Sequence, residues 1–193
     1  MDLQKSNVEY ASINGGDGLV RITISGHPGS GTSTLVALLC ERFGLSSLNG
    51  GDVFREQASQ RGMSLADFGE LCKQDDSIDR ELDQLLRERM FEGPEIIESR
   101  LSGWWAFKDG HDCVRLWLEV SLDERARRLS GRESLDFETA LESMTKRELL
   151  DDKRFLQMYG FTPADREPYT HVVEASNMSA NEVADTVAKF LEE

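Results

Sequence analysis

The run Gly26-His27-Pro28-Gly29-Ser30-Gly31-Thr32-Ser33 carries the first recognisable chemistry in the chain. Its spacing is G-x-x-x-x-G followed by two hydroxyl residues. Glycines let a backbone turn so that several N–H groups converge on one point, and such a nest holds phosphate. A helix opening at Thr32 adds roughly half a positive charge from its N-terminus. The chemistry expected of residues 26–34, Thr34 included, is therefore capture of a nucleoside triphosphate, with Ser33 placed where a loop hydroxyl ligates magnesium. One position departs from the pattern: Thr32 stands where a lysine is usual. Its hydroxyl donates a hydrogen bond but brings no charge to the β and γ phosphates. A strand-to-helix turn without a ligand is the alternative, but three glycines are costly unless the backbone must approach something. His27 reads as an exposed loop residue.

Arginine is the second resource. Only six of the 22 basic residues are lysine, and arginine's planar fork suits phosphate better than a point charge does. Arg55 follows the Gly50-Gly51 turn, and Arg100 follows the apolar run at 95–98. Ligands of open parallel sheets bind at the C-terminal ends of strands, so Arg55 and Arg100 are candidates to clamp a monophosphate. Taken singly, each also reads as a surface residue. Further on, the helical stripe Phe137, Leu141, Met144 continues on one broad face as Arg147, Asp151 and Arg154. A carboxylate between two arginines can read a nucleobase edge. The same spacing also makes a solvated ion-pair ladder. Arg125, Arg127, Arg128 and Arg132 crowd near Gly131. They suggest a lid whose charges fold over the triphosphate and replace the missing lysine, or else a basic solvated helix.

The elements that must position these residues follow from hydrophobic pattern and punctuation. Strands are expected at 19–25, 46–48, 95–98, 113–120 and 171–174. A helix is expected over 32–43, closed by Gly44. Residues 52–91 read as helical with a break at Gly62, capped by Asp52, Ser64 and Ser77. A basic helix over 122–130 should break near Gly131. A long helix should open at Ser134 and run to Tyr159, and Ser179 should cap the last one. Strands alternating with helices imply an α/β fold with a five-stranded parallel sheet flanked by helices. Residues 1–18, rich in Asn, Gly and Ser, read as a flexible tail ahead of one domain over 19–193.

Composition narrows the class. The 193 residues carry 39% hydrophobic and 30% charged side chains, ordinary for a globular protein. No apolar run is long enough for a membrane span, and the N-terminal stretch lacks the pattern of a secretory signal. A net charge of −14 makes free nucleic acid a poor partner. Cys40, Cys72 and Cys113 lie far apart with no metal or disulfide spacing, which fits a cytoplasmic protein.

Together the motifs resemble those of the cytidylate kinases, in particular their archaeal-type branch. The matching stretches are Ile22-Thr23-Ile24-Ser25-Gly26 with Pro28-Gly29-Ser30-Gly31-Thr32, then Gly51-Asp52-Val53-Phe54-Arg55 and Arg61-Gly62-Met63-Ser64-Leu65 with Phe68-Gly69. Asp79-Arg80-Glu81-Leu82-Asp83, Arg100-Leu101-Ser102-Gly103-Trp104 and Lys153-Arg154-Phe155 before Tyr159-Gly160 follow. The likeness runs from about residue 20 to the C-terminus. It implies a P-loop fold with a monophosphate-binding region and a mobile lid. It implies transfer of the ATP γ-phosphoryl group to CMP or dCMP with Mg²⁺; the chain is expected to be a monomer. Arg55 and Arg100 would hold the CMP phosphate; Arg147, Asp151 and Arg154 the cytosine and its phosphate; Arg127, Arg128 and Arg132 would act from the lid. Thr32 also occurs in this branch. Ser99 stands where glycine is expected, and the tail at 1–18 is additional. A kinase for AMP or UMP, or a nucleotide-binding regulatory module without catalysis, are the rival functions.

Overall fold

The computed structural model describes residues 20–192, so the expected tail at 1–18 lies outside the described residues. Five strands form one sheet in the order β2-β3-β1-β4-β5, with every neighbouring pair parallel. They are β1 (Ile22–Gly26), β2 (Ser47–Asn49), β3 (Ile96–Glu98), β4 (Val114–Glu119) and β5 (His171–Glu174). The α/β sheet expected from the alternation of elements is thus observed.

Strand alternation divides the core. Side chains at successive strand positions point to opposite faces, and both faces of this sheet are covered, as parallel sheets require. On one face Ile22, Ile24, Leu116 and Leu118 pack with Leu35 and Leu39 of α1 (Thr32–Phe43) and Val183 and Val187 of α8 (Ala180–Glu192). On the other, Ile97 packs with Trp104 and Trp105 of α5 (Ser102–Lys108) and Phe155 and Met158 of α7 (Phe137–Tyr159). Ser25 points to this second side, where its hydroxyl meets that of Ser102 at 3.1 Å. Helix α5 escaped the sequence reading because five of its seven residues are buried. A helix buried all round has no polar face to reveal its period.

Two further units frame the ends of the strands. Between β2 and β3 lie α2 (Gly50–Gln60), α3 (Leu65–Gln74) and α4 (Asp76–Met90), joined by a small cluster of Ala58, Phe68 and Cys72. Helix α6 (Leu122–Glu133) packs on α7 through Ala126, Leu129, Ala140 and Met144. No helix among the described residues is long and apolar enough to cross a membrane.

Several expected boundaries move. Asn49, not Asp52, caps α2 by accepting from Gly51 N at 2.6 Å. Asp75, not Ser77, caps α4. Helix α6 runs through Gly131 to Glu133, and Ser134 closes it in the left-handed region at φ 55°. Asp136 then opens α7. Ser64 caps α3 as expected, and Ser179 begins α8 with a reciprocal capping box, its hydroxyl accepting from Glu182 N while the Glu182 carboxylate accepts from Ser179 N.

The packing of α5 leaves one position without room. A Cβ on Gly103 would strike the ring of Tyr169, whose hydroxyl is held by Pro163 O at 2.5 Å. Gly103→Ala should therefore destabilise the chain by about 1–3 kcal/mol, lowering Tm by roughly 2–4 °C per kcal/mol in a circular-dichroism melt. An unchanged Tm would show that the Tyr169 ring yields.

Candidate active site

The buried strand β1 delivers the glycine loop to the C-terminal edge of the sheet. Gly29 and Gly31 both adopt left-handed backbone, at φ 86° and 95°. A Cβ on Gly29 would lie 3.0 Å from Met144 Cε and 3.3 Å from Arg125 Cβ. The loop's outer side is therefore tightly backed by the α6–α7 pair. Arg125 donates to Pro28 O at 3.4 Å and Val120 O at 3.0 Å, and pairs with Glu148 at 2.6 Å. Arg128 donates to Ser30 O at 2.9 Å and Ala175 O at 3.2 Å. In a planar trans peptide the C=O and the next N–H point opposite ways. Drawing the Pro28 and Ser30 carbonyls outward turns the Gly29 and Gly31 N–H groups inward.

The other loop residues sort by exposure. Gly26, His27, Pro28, Gly29, Thr32 and Ser33 line a cleft of about 750 Å³. Ser30 is buried beneath the loop, and Thr34 is exposed further along α1, outside the cleft lining. His27 is not the exposed residue expected. Its ring meets Trp117 edge-on at 5.0 Å, and its Nε2 lies 3.7 Å from Glu148. Burial lowers the His27 pKa against the opposing pull of Glu148.

The sequence reading missed Glu98, the last residue of β3. It is only 7% exposed. One carboxylate oxygen accepts from Thr32 Oγ1 at 2.6 Å and Ser33 Oγ at 2.7 Å, and the other from Asn49 Nδ2 at 2.5 Å. Where a lysine would have brought a cation, Thr32 instead helps to orient a carboxylate. Ser33 Oγ and the Glu98 carboxylate form a pair of hard oxygen donors beside the loop. That pair fits magnesium, which takes few protein ligands and completes its shell with water and phosphate oxygens.

All five arginine and aspartate candidates for the acceptor side, Arg55, Arg100, Arg147, Asp151 and Arg154, line this same cleft. Asp151 sits between two cations, with Arg100 at 2.6 Å and Arg154 at 3.5 Å. Arg154 also reaches Asp79 at 2.7 Å. Arg55 rests on Asp52 at 2.6 Å and is largely exposed. Arg147 makes no hydrogen bond or ion pair among the described residues. Burial lowers the Arg100 pKa, Arg147 and Arg154 add to the effect, and Asp151 opposes it. Cations pressed together this way favour an anionic ligand. Ser99, the departure from glycine, packs against the first residue of α2: a Cβ on Gly50 would lie 2.9 Å from its Cβ.

The lid candidates separate. Arg132 lines the cleft and pairs with Glu133 at 2.9 Å. Arg128 grips the loop from outside, as above. Arg127 lies over the Phe137 ring and pairs with Glu124. Arg125, grouped with them in sequence, is 3% exposed and part of the framework.

A strand, a phosphate nest, a hydroxyl–carboxylate pair and an arginine-lined cleft define a P-loop kinase. The fold agrees with solved kinases of that kind: a shikimate kinase from Acinetobacter baumannii (TM-score 0.60, 14% identity, 90% of this chain and 93% of that one) and a gluconokinase from Sinorhizobium meliloti (TM-score 0.58, 15% identity, 91% and 93%). Residues 21–177 match the profile of the cytidylate kinase-like family. The cytidylate kinase of Methanopyrus kandleri is 38% identical over 170 residues, covering 84% of this chain and 88% of its own. That of Haloquadratum walsbyi is 39% identical over 165 residues, covering 85% of each. The chain belongs to this family, and is an ATP-dependent nucleoside monophosphate kinase.

Asn49 joins the two halves of this site, through Glu98 on one side and the α2 cap on the other. Asn49→Ala should cost about 2–3 kcal/mol in urea denaturation, combining a lost cap with a lost bond to a charged acceptor. Asn49→Ser, which retains a capping oxygen, should recover about 1 kcal/mol of that. Equal losses for the two variants would mean that the cap contributes nothing.

Proposed function

We propose that this kinase transfers the γ-phosphoryl group of ATP to CMP or dCMP, giving CDP or dCDP. The observation that carries the reading is the unpaired Arg147 beside the Arg100–Asp151–Arg154 cluster, in the same cleft as the phosphate loop. Family membership and the named cytidylate kinase relatives support the choice of acceptor. Arg55, Arg100, Arg147 and Arg154 hold the acceptor phosphate, with Asp151 fixing Arg100 and Arg154. Residues 26–34 hold the donor.

The attacking group is an oxygen of the acceptor phosphate, already largely ionised at neutral pH. No general base is required. That oxygen bonds the γ-phosphorus as the bond to the β–γ bridging oxygen breaks, and ADP leaves. Catalysis is then positioning and charge neutralisation. The inward N–H groups of Gly29 and Gly31 receive donor phosphate oxygens. Ser33 and Glu98 would hold magnesium, which when bound offsets charge on the phosphates. Arg132, carried on α6, already faces the cleft and supplies the lid charge, with Arg127 on the exposed surface of the same helix, while Arg128 backs the loop from outside. Closure over the nucleotides excludes the water that would otherwise hydrolyse ATP.

A panel of nucleoside monophosphates with ATP and magnesium, followed by coupled ADP release, tests the acceptor. CMP and dCMP should exceed AMP and UMP. A CMP rate no better than theirs would refute the substrate, and ATP binding without turnover on any acceptor would support a regulatory module. Separately, Arg100→Ala should lower kcat/KM for CMP by at least ~100-fold, the scale of a misplaced reactant, and leave ATP affinity within about twofold. Near-normal CMP kinetics would remove Arg100 from the site.

A further inference from the structure

Helix α7 works as a ruler along the cleft. Its Met144 lies against Gly29 of the phosphate loop, and its Glu148 faces His27. At 1.5 Å per residue, Asp151 stands about 10 Å beyond Met144 along the axis and Tyr159 about 22 Å beyond it. Asp151 is thus in the zone of the arginines. Each of its oxygens faces one of them, Arg100 at 2.6 Å and Arg154 at 3.5 Å. Its Oδ2 is sealed from solvent beside Arg100, so that oxygen has no open face toward a base.

Beyond that zone the cleft is walled by Val53, Phe54, Leu82, Leu86 and Phe155. Two carboxylates of α4, one helical turn apart, stand in this apolar stretch: Asp79 and Asp83. Asp79 is taken up by Arg154 at 2.7 Å. Asp83 receives the Tyr159 hydroxyl at 2.6 Å on Oδ2. A tyrosine has one hydrogen to donate, whereas an ionised carboxylate has about four lone-pair sites. Tyr159 therefore offers a ligand no donor here, while Asp83 keeps acceptor capacity. Tyr159 is itself fixed, edge-on to Trp105 at 5.0 Å and under the Arg80 guanidinium at 5.2 Å.

We infer that Asp83, oriented by Tyr159, selects the acceptor base by accepting a hydrogen bond from an exocyclic amine, and so favours cytosine over uracil. The inference rests on the substrate reading above. An amine at that position donates to the carboxylate. A carbonyl there sets oxygen against oxygen in an apolar surround, where an unmatched polar pair is costly.

The site also carries a pH signature. Burial in the apolar wall pushes Asp83 up to about 6, the Tyr159 hydroxyl favours its anion, Asp79 raises it further and Arg154 lowers it. Above that value Asp83 is an acceptor. Below it the protonated carboxyl can donate to a carbonyl, so the preference for CMP should weaken as pH falls through about 6. Taking the ratio of CMP to UMP cancels the ionisation of the phosphate, which the two substrates share.

The experiment measures kcat/KM for CMP and UMP at pH 7.5 and 5.5 on the full chain, with wild type, Asp83→Asn, Tyr159→Phe and Asp151→Asn. Loss of a bond to a charged acceptor predicts a fall of about 10–100-fold in the CMP/UMP ratio for Asp83→Asn at pH 7.5, with KM for ATP unchanged. The wild-type ratio should drop at pH 5.5 and that of Asp83→Asn should not. Tyr159→Phe should lower the ratio by a smaller factor. Asp151→Asn should slow both substrates equally. If Asp83→Asn turns over too slowly to measure, calorimetric dissociation constants for CMP and UMP on the folded variant give the same ratio. A ratio retained by Asp83→Asn, or lost instead in Asp151→Asn, overturns the inference alone. A wild type with no preference for CMP over UMP overturns the substrate reading and this inference with it.

Discussion

Everything in the site turns on one buried carboxylate. Glu98 ends β3 level with Asn49 at the end of β2 and two residues short of the end of β1, with β3 lying between those strands. Burying a carboxylate is costly unless hydrogen bonds replace its water. Here Thr32, Ser33 and Asn49 supply three donors, and none of them is charged. The anion is solvated by the protein but not neutralised. It thereby fixes the two loop hydroxyls on one side and the start of α2 on the other, while leaving a negative charge beside the place where phosphates arrive. That arrangement calls for a cation, which the oxygen chemistry of Ser33 and Glu98 suits to magnesium.

The acceptor half is held together by different physics. Its cations outnumber their partners, and the carboxylates that serve them are shared: Asp151 between Arg100 and Arg154, Arg154 between Asp151 and Asp79. Shared ion pairs hold guanidinium groups in place without saturating them. On the proposed reading, the acceptor's phosphate dianion would bring more charge than one carboxylate oxygen and take up the open donors. The cost of ordering long side chains is met before the ligand comes, which is what preorganisation means in energetic terms. Helix α7 carries this register from the loop, through Glu148 and Arg125, to the arginines and on to Tyr159.

How much of this the sequence exposed depends on whether the signal is local. The glycine loop, the five strands and the α7 stripe were legible because spacing alone encodes them. Caps were displaced by two or three residues at Asn49, Asp75 and Asp136, where several small polar residues compete and only backbone geometry decides between them. Helix α5 was invisible because it has no polar face. Glu98 was missed for a different reason: its donors lie 49 to 66 residues away. His27 was misplaced because its aromatic partner, Trp117, belongs to β4. Arg128 and Arg132 share one helix four residues apart, yet one meets the loop from its outer side and the other faces the cleft. Periodicity groups such residues by face and cannot say what covers the face.

The absent lysine also changes its meaning in this setting. Thr32 gives its hydroxyl to Glu98 at 2.6 Å and brings no charge to that carboxylate. The loop instead draws positive potential from inward backbone N–H groups, from the α1 N-terminus, and from Arg125 and Arg128 behind it. These sources are fixed by packing and need no rearrangement when a ligand binds. The chain's net charge of −14 does not oppose this. Exposed charges more than about 8 Å away are largely screened at physiological salt. The local field at the cleft is set by its own arginines, gathered where the strands end, so an acidic chain still presents a cationic surface to phosphate there.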